Sequence, residues 1–374
     1  MRVALVAYLL HTGADYRAAG VSTYIRELLA ELPCVAPHHE YLAFHGRDGE
    51  LPPGIKSRRA PIDTQHALRR IAWEQSGLVW EMRSVKPDVV HGTVNVTPLL
   101  SSVPSVVTVH DLAFLRHPEC FHRAKVAYLK AAVRGSVRRA AHMTSVSENT
   151  RQDGIELLSA PEDHVSVAYP GINRRFQPQA AKKVAQGRAR RFGGRPYILH
   201  VGTLEPRKNI DVLIRAFLEA RVLGRLPHIL ALIGARGWMY DALYALVRDL
   251  HLEDDVRFLD WVTPEDLPLW YSCADLFVYP SVYEGFGMPV AEAMSCGVPV
   301  VTSATGALME LSGGAALVVE PDSVESLASA LVRGIENREE RQQMREAGCR
   351  RAAGFRWAET ARRTVAAYER VKGQ

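Results

Sequence analysis

The strongest constraint on the fold is an alternation between short apolar runs and longer amphipathic stretches, which occurs in the first half of the chain and again in the second. This alternation is typical of parallel sheets covered by helices, because each buried strand is followed by a helix that returns the chain to the start of the next strand. A chain of 374 residues is long for one core and comfortable for two domains of about 150–200 residues each. The predicted fold class is therefore α/β, with two doubly wound domains.

The individual elements follow from the apolar runs and the helical periods. In the first half we expect helices at about 20–32, 65–85, 122–140 and 148–158, and strands at 3–7, 41–45, 88–91, 105–109, 143–146 and 165–168. In the second half we expect helices near 210–221, 239–251, 264–273, 289–296, 323–336, 338–352 and 357–371, and strands at 197–201, 229–233, 256–259, 276–279 and 299–301.

Net charge is unevenly distributed along the chain. The total of +5 divides into +2 over residues 1–171, +8 over 172–204 and −5 over 205–374. The basic stretch shows no clear strand period, so residues 172–195 are interpreted as the linker between a domain at 1–171 and a domain at 172–374. A nucleic-acid-binding protein usually presents a more continuous basic face, so no nucleic-acid partner is expected.

Cysteine usage and hydropathy bear on the compartment. The five cysteines lie at least 23 residues apart and form no C-x-x-C pair, which argues against a disulfide framework and a structural zinc site. Free thiols in a reducing cytoplasm are the preferred interpretation. The longest apolar run, 3–10, has eight residues, far short of the roughly 20 that span a bilayer. No small-residue cleavage site follows it, so we expect a cytoplasmic protein without a signal peptide.

The most informative segment is 279–301, which has the pattern strand, glycine-rich loop, helix, tight turn and strand. Gly285 and Gly287 let the backbone approach a ligand closely, and Pro289 suits a first helical turn whose free N–H groups favour an anion. The dinucleotide and P-loop fingerprints, G-x-G-x-x-G and G-x-x-x-x-G-K-[ST], do not occur in the chain. An NAD dehydrogenase or a P-loop kinase is therefore disfavoured.

Two carboxylates, Glu284 and Glu292, flank the start of the helix in this segment. Beside a phosphate cradle they would repel the anion, unless each accepts hydrogen bonds from hydroxyl groups. Sugar and ribose hydroxyls are obvious donors for that purpose. In two doubly wound domains the ligand is expected in a crevice at the carboxyl ends of the strands.

Segment 279–301 resembles the signature of the retaining glycosyltransferases of family 4, which have the GT-B fold of two Rossmann-like domains facing a central cleft. Segments 87–91, 107–111 and 201–209 also resemble that family, and the string His-Asp-Leu-Ala-Phe at 110–114 is most similar to bacterial mannosyltransferase-like members. The resemblance implies an N-terminal acceptor domain and a C-terminal nucleotide-sugar domain. We expect the last helix to pack back on the N-terminal domain.

The resemblance also implies roles for residues of the C-terminal domain. Glu284 would hold hydroxyls of the transferred sugar, Glu292 the ribose, and Lys208 the diphosphate. Since the family often has arginine where this chain has Thr203, Arg207 is the expected second cation. The backbone of Val262 would contact the base, although core packing is the alternative for this residue. The remaining donor-binding residues are expected to be Gly202, Gly285, Phe286, Gly287, Met288 and Pro289.

In the N-terminal domain the resemblance implies a further catalytic contact and a phosphate contact. His110 matches the histidine that contacts the donor sugar near the reacting carbon, and Asp111 either orients that histidine or caps the following segment. Gly20 matches the loop that brings backbone N–H groups to the donor phosphate. Many relatives have a second glycine where this chain has Ser22, whose hydroxyl would have to substitute.

The resemblance implies a retaining hexosyltransferase that needs no metal, because lysine and arginine supply the charge that a leaving diphosphate requires. The first choice of donor is GDP-mannose, with UDP-sugars close behind, and the acceptor is a glycan, a lipid-linked molecule or a small molecule. Two alternatives stay open: a sugar-nucleotide 2-epimerase of the same architecture and a catalytically silent sugar-nucleotide-binding subunit.

A last candidate feature is a basic helix in the first half. Residues 120–147 contain six basic and no acidic residues. Such a helix can lie on anionic lipid at the inner membrane surface or hold a polyprenyl diphosphate acceptor. It is also commonly a solvated face. The six residues are Arg123, Lys125, Lys130, Arg134, Arg138 and Arg139, and Lys56, Arg58, Arg59, Arg69 and Arg70 would extend the patch.

Overall fold

The chain is divided between two units, one of which is discontinuous in sequence. The computed structural model describes residues 1–11, 13, 20–47, 49–224, 226–237 and 240–373. The first unit comprises Met1–Gly171 and the segment from Arg356 onward, and the second unit comprises Ile172–Phe355. Each unit is built around its own parallel sheet.

Over the described residues, the sheet of the first unit has seven strands: β1 (Arg2–Ala7), β2 (Glu40–His45), β3 (Ile55–Arg59), β4 (Val89–Gly92), β5 (Ser105–Val109), β6 (His142–Ser145) and β7 (Val165–Val167). Their spatial order is β3-β2-β1-β4-β5-β6-β7. β4 and β5 are buried along their whole length, as expected of parallel strands with helices on both faces. The strand order reverses between β1 and β4, which marks the ligand-binding edge of a doubly wound sheet.

Helices cover the sheet of the first unit. The first of them turns Leu28, Leu29 and Leu32 into the core, an apolar spacing typical of a helix with one buried face. Ser147 caps another, because its hydroxyl accepts a hydrogen bond of 3.0 Å from the Thr150 N–H. The helices are α1 (Val21–Val35), α2 (Ala67–Gln75), α3 (Gly77–Val85), α4 (Ala113–Arg116), α5 (Arg123–Arg139) and α6 (Glu148–Leu158).

The sheet of the second unit, in the ranges that the structure describes, has six parallel strands: β8 (Tyr197–Val201), β9 (Ile229–Ile233), β10 (Val256–Phe258), β11 (Leu276–Tyr279), β12 (Val300–Ser303) and β13 (Leu317–Val319). Their order is β10-β9-β8-β11-β12-β13, so the reversal falls between β8 and β11. The carboxyl ends of these two strands are therefore the expected ligand-binding edge.

The helices of the second unit pack on this sheet through buried apolar residues such as Phe217 and Leu331. They are α7 (Ala181–Arg190), α8 (Ile210–Gly224), α9 (Asp241–Asp249), α10 (Leu267–Cys273), α11 (Met288–Ser295), α12 (Gly306–Ser312), α13 (Val324–Glu336) and α14 (Arg338–Ala352).

The last helix, α15 (Trp357–Lys372), follows the second unit in sequence but packs in the first. The Tyr368 hydroxyl lies 2.6 Å from Nδ1 of His91, a fully buried residue of β4. The Thr360 hydroxyl donates a hydrogen bond of 2.6 Å to the Tyr169 carbonyl. Polar bonds in a dry core are specific as well as stabilising, so these pairs fix the position of α15 against the sheet.

The prediction of one helix over 65–85 is wrong in one respect, since the structure has α2 and α3 with a break at Ser76. The Trp73 ring packs directly against Gly77, where an added Cβ would lie 2.2 Å from that ring. Only a residue without a side chain fits under the indole at this point. The pattern of apolar residues continues across the break, which explains why periodicity alone indicated a single helix.

The sequence reading missed two edge strands, β3 and β13. β3 has the sequence Ile-Lys-Ser-Arg-Arg and is exposed over most of its length, so it lacks an apolar run. The basic stretch 172–195, predicted as a linker at the start of the second domain, contains α7 and lies in the second unit. Arg188 of this stretch donates a hydrogen bond of 3.0 Å to the carbonyl of Cys273 at the end of α10. Part of the charge of this stretch is therefore used in contacts within the second unit, whereas Arg174, Lys182, Lys183 and Arg190 are exposed.

Candidate functional site

A glycine-bounded loop connects β11 to α11 in the second unit. Gly287 immediately precedes α11 and has φ of +100°, a conformation that L side chains rarely adopt. A Cβ on Gly287 would also lie 2.6 Å from the Leu308 side chain. Pro289 follows in the first turn of α11, where its missing N–H costs nothing. The loop thus brings backbone N–H groups to the carboxyl end of β11.

Glu284 lies in this loop and is 8% exposed. Four side chains contact one of its two carboxylate oxygens. Its Oε1 lies 2.6 Å from Lys208 Nζ, 2.8 Å from an Arg207 guanidinium nitrogen, 2.6 Å from the Ser281 hydroxyl and 3.2 Å from the Tyr279 hydroxyl. Lys208 also donates a hydrogen bond of 2.6 Å to Tyr279. Each side chain that contacts the carboxylate can donate a hydrogen bond to it, so the arrangement stabilises the ionised form of Glu284.

The charges of this cluster determine its protonation. Burial alone would raise the pKa of Glu284, but Arg207 and Lys208 together with the hydrogen bonds from Lys208 and Ser281 hold it at about 2. Burial and the neighbouring Arg207 lower the pKa of the Lys208 ammonium, and Glu284 acts in the opposite direction. A second carboxylate, Glu205, accepts a hydrogen bond of 2.8 Å from Arg207. Arg207 therefore lies between two carboxylates, and Lys208 pairs with one of them.

At the end of β8 the backbone at Gly202 packs closely against the backbone at the end of β9. The Gly202 N–H donates a hydrogen bond of 2.9 Å to the Ile233 carbonyl, and a Cβ on Gly234 would lie 1.8 Å from the Gly202 carbonyl oxygen. Thr203, which follows, is exposed. Val262 is half-buried in the loop after β10 and is not part of the strand. These residues line the carboxyl edge of the sheet with backbone and small side chains.

Glu292 lies on α11 and is held differently from Glu284. Its Oε2 accepts a hydrogen bond of 2.9 Å from the hydroxyl of Tyr271, a fully buried residue of α10. Burial raises the pKa of Glu292 to about 7, and the Tyr271 hydrogen bond opposes part of that rise. The two carboxylates of the segment therefore have opposite pKa shifts: Arg207 and Lys208 outweigh the effect of burial at Glu284, whereas burial dominates at Glu292 over the opposing effects of Tyr271 and Arg175.

His110 follows β5 in the first unit, and a carbonyl group determines which of its ring nitrogens carries the proton. Its Nε2 lies 2.8 Å from the Thr93 carbonyl oxygen, which can only accept, so Nε2 carries the ring proton. Nδ1 is then the acceptor atom of the neutral ring. The ring packs against the edge of Tyr24 with centroids 4.6 Å apart, and its backbone N–H donates to Asn95 Oδ1 at 2.7 Å. Burial lowers the pKa of His110.

The other predicted residues of the first unit have local roles. Asp111 Oδ1 accepts a hydrogen bond of 3.1 Å from the N–H of Ala113, the first residue of α4. Gly20 precedes α1 with φ of +56° and is exposed. The Ser22 hydroxyl accepts from the His11 N–H at 2.8 Å and donates to the His11 carbonyl at 2.9 Å. Ser22 therefore ties the end of β1 to α1, and its proton is not available to a phosphate.

Two family models match successive parts of the chain. The model for Glycosyltransferase Family 4 matches residues 18–176, and the model for Glycosyl transferases group 1 matches residues 183–351. O-antigen chain mannosyltransferase B of Escherichia coli is 31% identical over 369 residues, which cover 95% of this chain and 97% of that protein. The chain belongs to glycosyltransferase family 4. The O-antigen chain mannosyltransferase RfbU of Salmonella typhimurium is 30% identical over 83% of each chain.

Solved structures share the fold of this glycosyltransferase. Sucrose-phosphate synthase of Thermosynechococcus elongatus superposes with a TM-score of 0.80 at 21% identity, covering 99% of this chain and 98% of that one. Anabaena HepE, solved in complex with UDP-glucose, gives 0.76 at 18% identity and covers 98% of each chain. WaaG, a glycosyltransferase involved in lipopolysaccharide biosynthesis, gives 0.78 at 17% identity, covering 97% and 98%. The predicted GT-B fold class is confirmed.

Within the second unit of the glycosyltransferase, the structure brings Glu284, Arg207 and Lys208 into one cluster. Sequence reasoning assigned no role to Tyr279 or Ser281, although both stand inside the segment that carried the resemblance. A signal was present, because polar side chains two residues apart at the end of a buried strand point to the same side. Tyr271 had no such signal, since an aromatic residue in a predicted amphipathic helix is usually a core residue.

The basic residues of α5 lie mostly at the surface. Arg123, Lys125 and Lys130 are exposed, whereas Arg139 donates to the Ser101 carbonyl at 2.9 Å. In the patch that was expected to extend this surface, Lys56 forms an ion pair of 2.7 Å with Glu40. Among the described residues, no helix is long and apolar enough to cross a bilayer.

Over the described ranges, one group of side chains is arranged so that it could ligate a metal ion: His38, His39 and Glu369. His38 and His39 lie just before β2, at the amino end of the strand, and Glu369 lies on α15. The group therefore does not include any of the residues proposed for donor binding.

Proposed function

We propose that this enzyme is a retaining hexosyltransferase that uses a nucleoside-diphospho-hexose as donor, with mannose as the first choice of sugar. The observation that carries the proposal is the buried carboxylate of Glu284, ionised and held through one oxygen at the start of the glycine-bounded loop. A rigid, charged acceptor at the carboxyl end of β11 suits hydroxyl groups of a sugar. The group that the cluster would recognise is therefore the transferred hexose.

The second oxygen of Glu284 is the proposed sugar contact. All four side-chain contacts described for the carboxylate reach Oε1, so Oε2 is assigned to hydroxyls of the hexose. Backbone N–H groups of Gly285, Phe286, Gly287 and Met288 would donate to the same sugar. Lys208 and Arg207 would share their charge between Glu284 and the diphosphate, and the first turn of α11, with Pro289, would favour the same anion.

The remaining predicted donor contacts keep their roles as proposals. Glu292 would accept hydrogen bonds from the ribose, and Val262 and Gly202 would contact the nucleotide through their backbone. His110 would accept a sugar hydroxyl on Nδ1, the ring atom that the Thr93 carbonyl leaves unprotonated. Asp111 would act indirectly, because its hydrogen bond to the first residue of α4 fixes the chain that follows His110. Gly20 would bring backbone N–H groups to the donor phosphate.

The proposed reaction breaks the bond between the anomeric carbon and the diphosphate oxygen and forms a bond from that carbon to the acceptor oxygen on the same face. The electron pair of the broken bond stays on the diphosphate oxygen, which takes the proton of the acceptor hydroxyl. Charge on the leaving group is stabilised by Lys208 and Arg207, so the step as proposed requires no metal ion. This scheme differs from that of retaining glycosidases, in which a second carboxylate attacks the sugar.

Anomeric configuration tests the proposal directly. Proton NMR of the first product formed from an α-linked donor should show an α-linkage, and a β-linked product would overturn retention. Activity after exhaustive treatment with a chelator should be unchanged, whereas loss that a divalent cation restores would contradict metal independence. Both measurements use the wild-type enzyme and the same donor.

The donor itself is best found by a panel of nucleotide sugars. GDP-mannose is the first choice, because the two O-antigen relatives are named mannosyltransferases, and UDP-sugars follow, because Anabaena HepE was solved with UDP-glucose. The panel consists of GDP-, UDP-, ADP- and dTDP-sugars. Stabilisation by a ligand depends on the ratio of its concentration to its Kd, so the true donor should raise the melting temperature more than the other members of the panel. Equal shifts with all four bases would contradict a nucleotide-specific site.

The acceptor is proposed to be a glycan, a lipid-linked molecule or a small molecule bound by the first unit. Exposed Arg123, Lys125 and Lys130 on α5 support contact with an anionic membrane surface. Co-sedimentation with vesicles of phosphatidylglycerol at low salt should be lost when these three residues are changed to glutamine. Absence of wild-type binding at low salt would remove the membrane proposal and leave the transferase proposal intact.

A further inference from the structure

Two histidines and one carboxylate lie together in the first unit, where the turn before β2 meets the end of α15. His38 and His39 are the last residues of that turn, and Glu369 lies near the end of α15. One ligand atom of each side chain lies within 4.8 Å of the ligand atoms of the other two. The group is at the amino edge of the parallel sheet, whereas His110 follows the carboxyl end of β5. It therefore lies apart from the residues proposed for donor binding.

His39 is the buried member of the group. Its side chain is 6% exposed, and its Nε2 has no hydrogen-bond partner among the described residues. Glu369 Oε1 lies 3.6 Å from this Nε2, which is too far for a hydrogen bond. Nδ1, on the other side of the ring, lies 3.4 Å from the Met1 nitrogen. Buried polar atoms are normally paired, so the unpaired Nε2 points to a ligand that it shares with the carboxylate.

The distance between Nε2 and the carboxylate suits a metal ion. Zinc binds histidine nitrogen at about 2.0–2.1 Å and carboxylate oxygen at about 2.0–2.2 Å, so the two ligand atoms of a tetrahedral site lie about 3.4 Å apart. One ion can therefore bond to both atoms across the observed 3.6 Å. The Glu369 side chain, which faces the buried Nε2, is itself 56% exposed, so its movement admits an ion from solvent.

His38 supplies a third ligand. Its ring packs against the His39 ring with centroids 4.1 Å apart and an angle of 69° between the planes. Because His38 is exposed, its ring can rotate toward the ion without disturbing the core. His39 is held in place, since its backbone N–H donates a hydrogen bond of 3.1 Å to the Ala36 carbonyl. Burial lowers the pKa of His39, so its ring is neutral at neutral pH, as a metal ligand must be.

We propose that His38, His39 and Glu369 bind a divalent cation of the zinc class, with water completing the coordination. Imidazole and carboxylate groups are typical zinc ligands, whereas Mg²⁺ and Ca²⁺ prefer sites built from oxygen alone. The site contains no cysteine, so the cysteine spacing that argues against a structural zinc site does not bear on it. The ion would join the end of α15 to the start of β2 and thereby stabilise the first unit.

The test uses the full chain, freed of metal by a chelator, with Zn²⁺ as the probe. Zinc can bind elsewhere on the chain, so the site is read on its own ligands by long-range proton–nitrogen NMR of the histidine rings. Stoichiometric Zn²⁺ should shift the Nε2 signal of His39 and a ring nitrogen of His38, and an excess of Mg²⁺ should not reverse the shifts. Zn²⁺ should also raise the melting temperature, because it binds the folded state.

Glu369→Gln removes one ligand at an exposed position, so the fold should tolerate the change. Its Kd for Zn²⁺ should be about tenfold higher or more, since even the outer partners of metal ligands contribute 10–100-fold to affinity. Glu359→Gln is the matched control, because Glu359 lies on the same helix and bonds instead to Arg362 at 2.9 Å and to Arg363 at 3.1 Å. The control should keep the wild-type Kd.

Three results would overturn the proposal: His39 signals that do not move with Zn²⁺, equal Kd values in Glu369→Gln and Glu359→Gln, or displacement of the bound ion by Mg²⁺. The last result would indicate a site without imidazole ligands. Turnover of the folded enzyme should be the same with and without Zn²⁺, because none of the three ligands belongs to the proposed donor site. The zinc site and the transferase function are thus tested independently.

Discussion

Lys208 Nζ donates a hydrogen bond of 2.6 Å to Glu284 Oε1, and both residues are less than one-tenth exposed. Burying either charge alone would be strongly destabilising, because the free energy lost when an ion leaves water is offset only by a nearby charge of opposite sign. The pair thus holds a carboxylate and an ammonium ready at the start of α11. Tyr279 and Ser281 complete the arrangement with hydroxyl donors.

The first prediction concerns Glu284→Gln. The change removes the charge that Lys208 and Arg207 face and the acceptor proposed for the sugar, so turnover should fall about 10²-fold or more. The change also removes the carboxylate partner of buried Lys208, while Arg207 keeps Glu205, and it should lower the free energy of unfolding by about 3–5 kcal/mol. Steady-state kinetics and urea denaturation measure the two effects.

Glu265→Gln serves as its control. Glu265 pairs with Arg175 at 3.2 Å, but its side chain is 76% exposed. Exposed pairs contribute little, so the variant should stay within about 1 kcal/mol of the wild type and keep full activity. Glu284→Gln with wild-type turnover would remove Glu284 from the mechanism.

The second prediction is a pH dependence that comes from Glu292. Its folded pKa is raised from 4.5 to about 7, first by burial, so the folded state retains a proton that the unfolded state releases between these values. The stability from this group is therefore fully present below pH 4.5 and is lost as the pH rises through 7. Denaturation between pH 5 and 8 should show a smaller slope in Glu292→Gln than in the wild type.

Donor affinity should follow the same group. Ribose hydroxyls donate to an ionised carboxylate, so affinity for the nucleotide sugar should increase as the pH rises through about 7. Tyr271→Phe removes the hydrogen bond that lowers this pKa and should move the increase to higher pH. A pH profile of the donor Kd that is identical in wild type and Glu292→Gln would contradict both statements.

The third prediction is the tautomer of His110. Because Nε2 faces the Thr93 carbonyl at 2.8 Å, nitrogen NMR at neutral pH should show a protonated Nε2 and an unprotonated Nδ1. Donor binding should then shift the Nδ1 signal. His110→Asn should reduce turnover by about 10²-fold while the melting temperature of the free protein changes little, and a protonated Nδ1 in the free enzyme would refute the assignment.

The fourth prediction addresses the position of α15. Tyr368→Phe leaves Nδ1 of His91 without its partner at 2.6 Å in a fully buried place, which should cost about 1–3 kcal/mol of unfolding free energy. Tyr128→Phe is a matched control, because Tyr128 is 37% exposed. Equal stability of the two variants would mean that the His91–Tyr368 bond is not an anchor for α15.

The buried strands and the glycine loop of the second unit could be predicted from the sequence because each depends on local patterns. Apolar runs identified β8, β9 and β11 to within a residue, and the spacing of Gly285, Gly287 and Pro289 identified the loop. Edge strand β3 could not be found in this way, since one exposed strand needs no apolar run.

The partners within the site depend on tertiary packing, which is why they were beyond sequence reasoning. Lys208 and Glu284 lie 76 residues apart and meet only because β8 and β11 are neighbours in the sheet. The role of Ser22 was likewise hidden, because its hydrogen bonds reach the backbone of His11 and involve no side-chain motif. Residue types indicated the chemistry, and strand order decided which groups meet.

The packing of α15 has a consequence for synthesis. The first unit ends its continuous part at Gly171, yet Tyr368, which bonds to buried His91, is made only after the whole second unit. At roughly 5–20 residues per second, the ribosome adds that tyrosine about 10–40 s later. Until then the first sheet lacks the helix that packs against buried His91. The first unit therefore cannot complete its packing until the whole second unit has been synthesised.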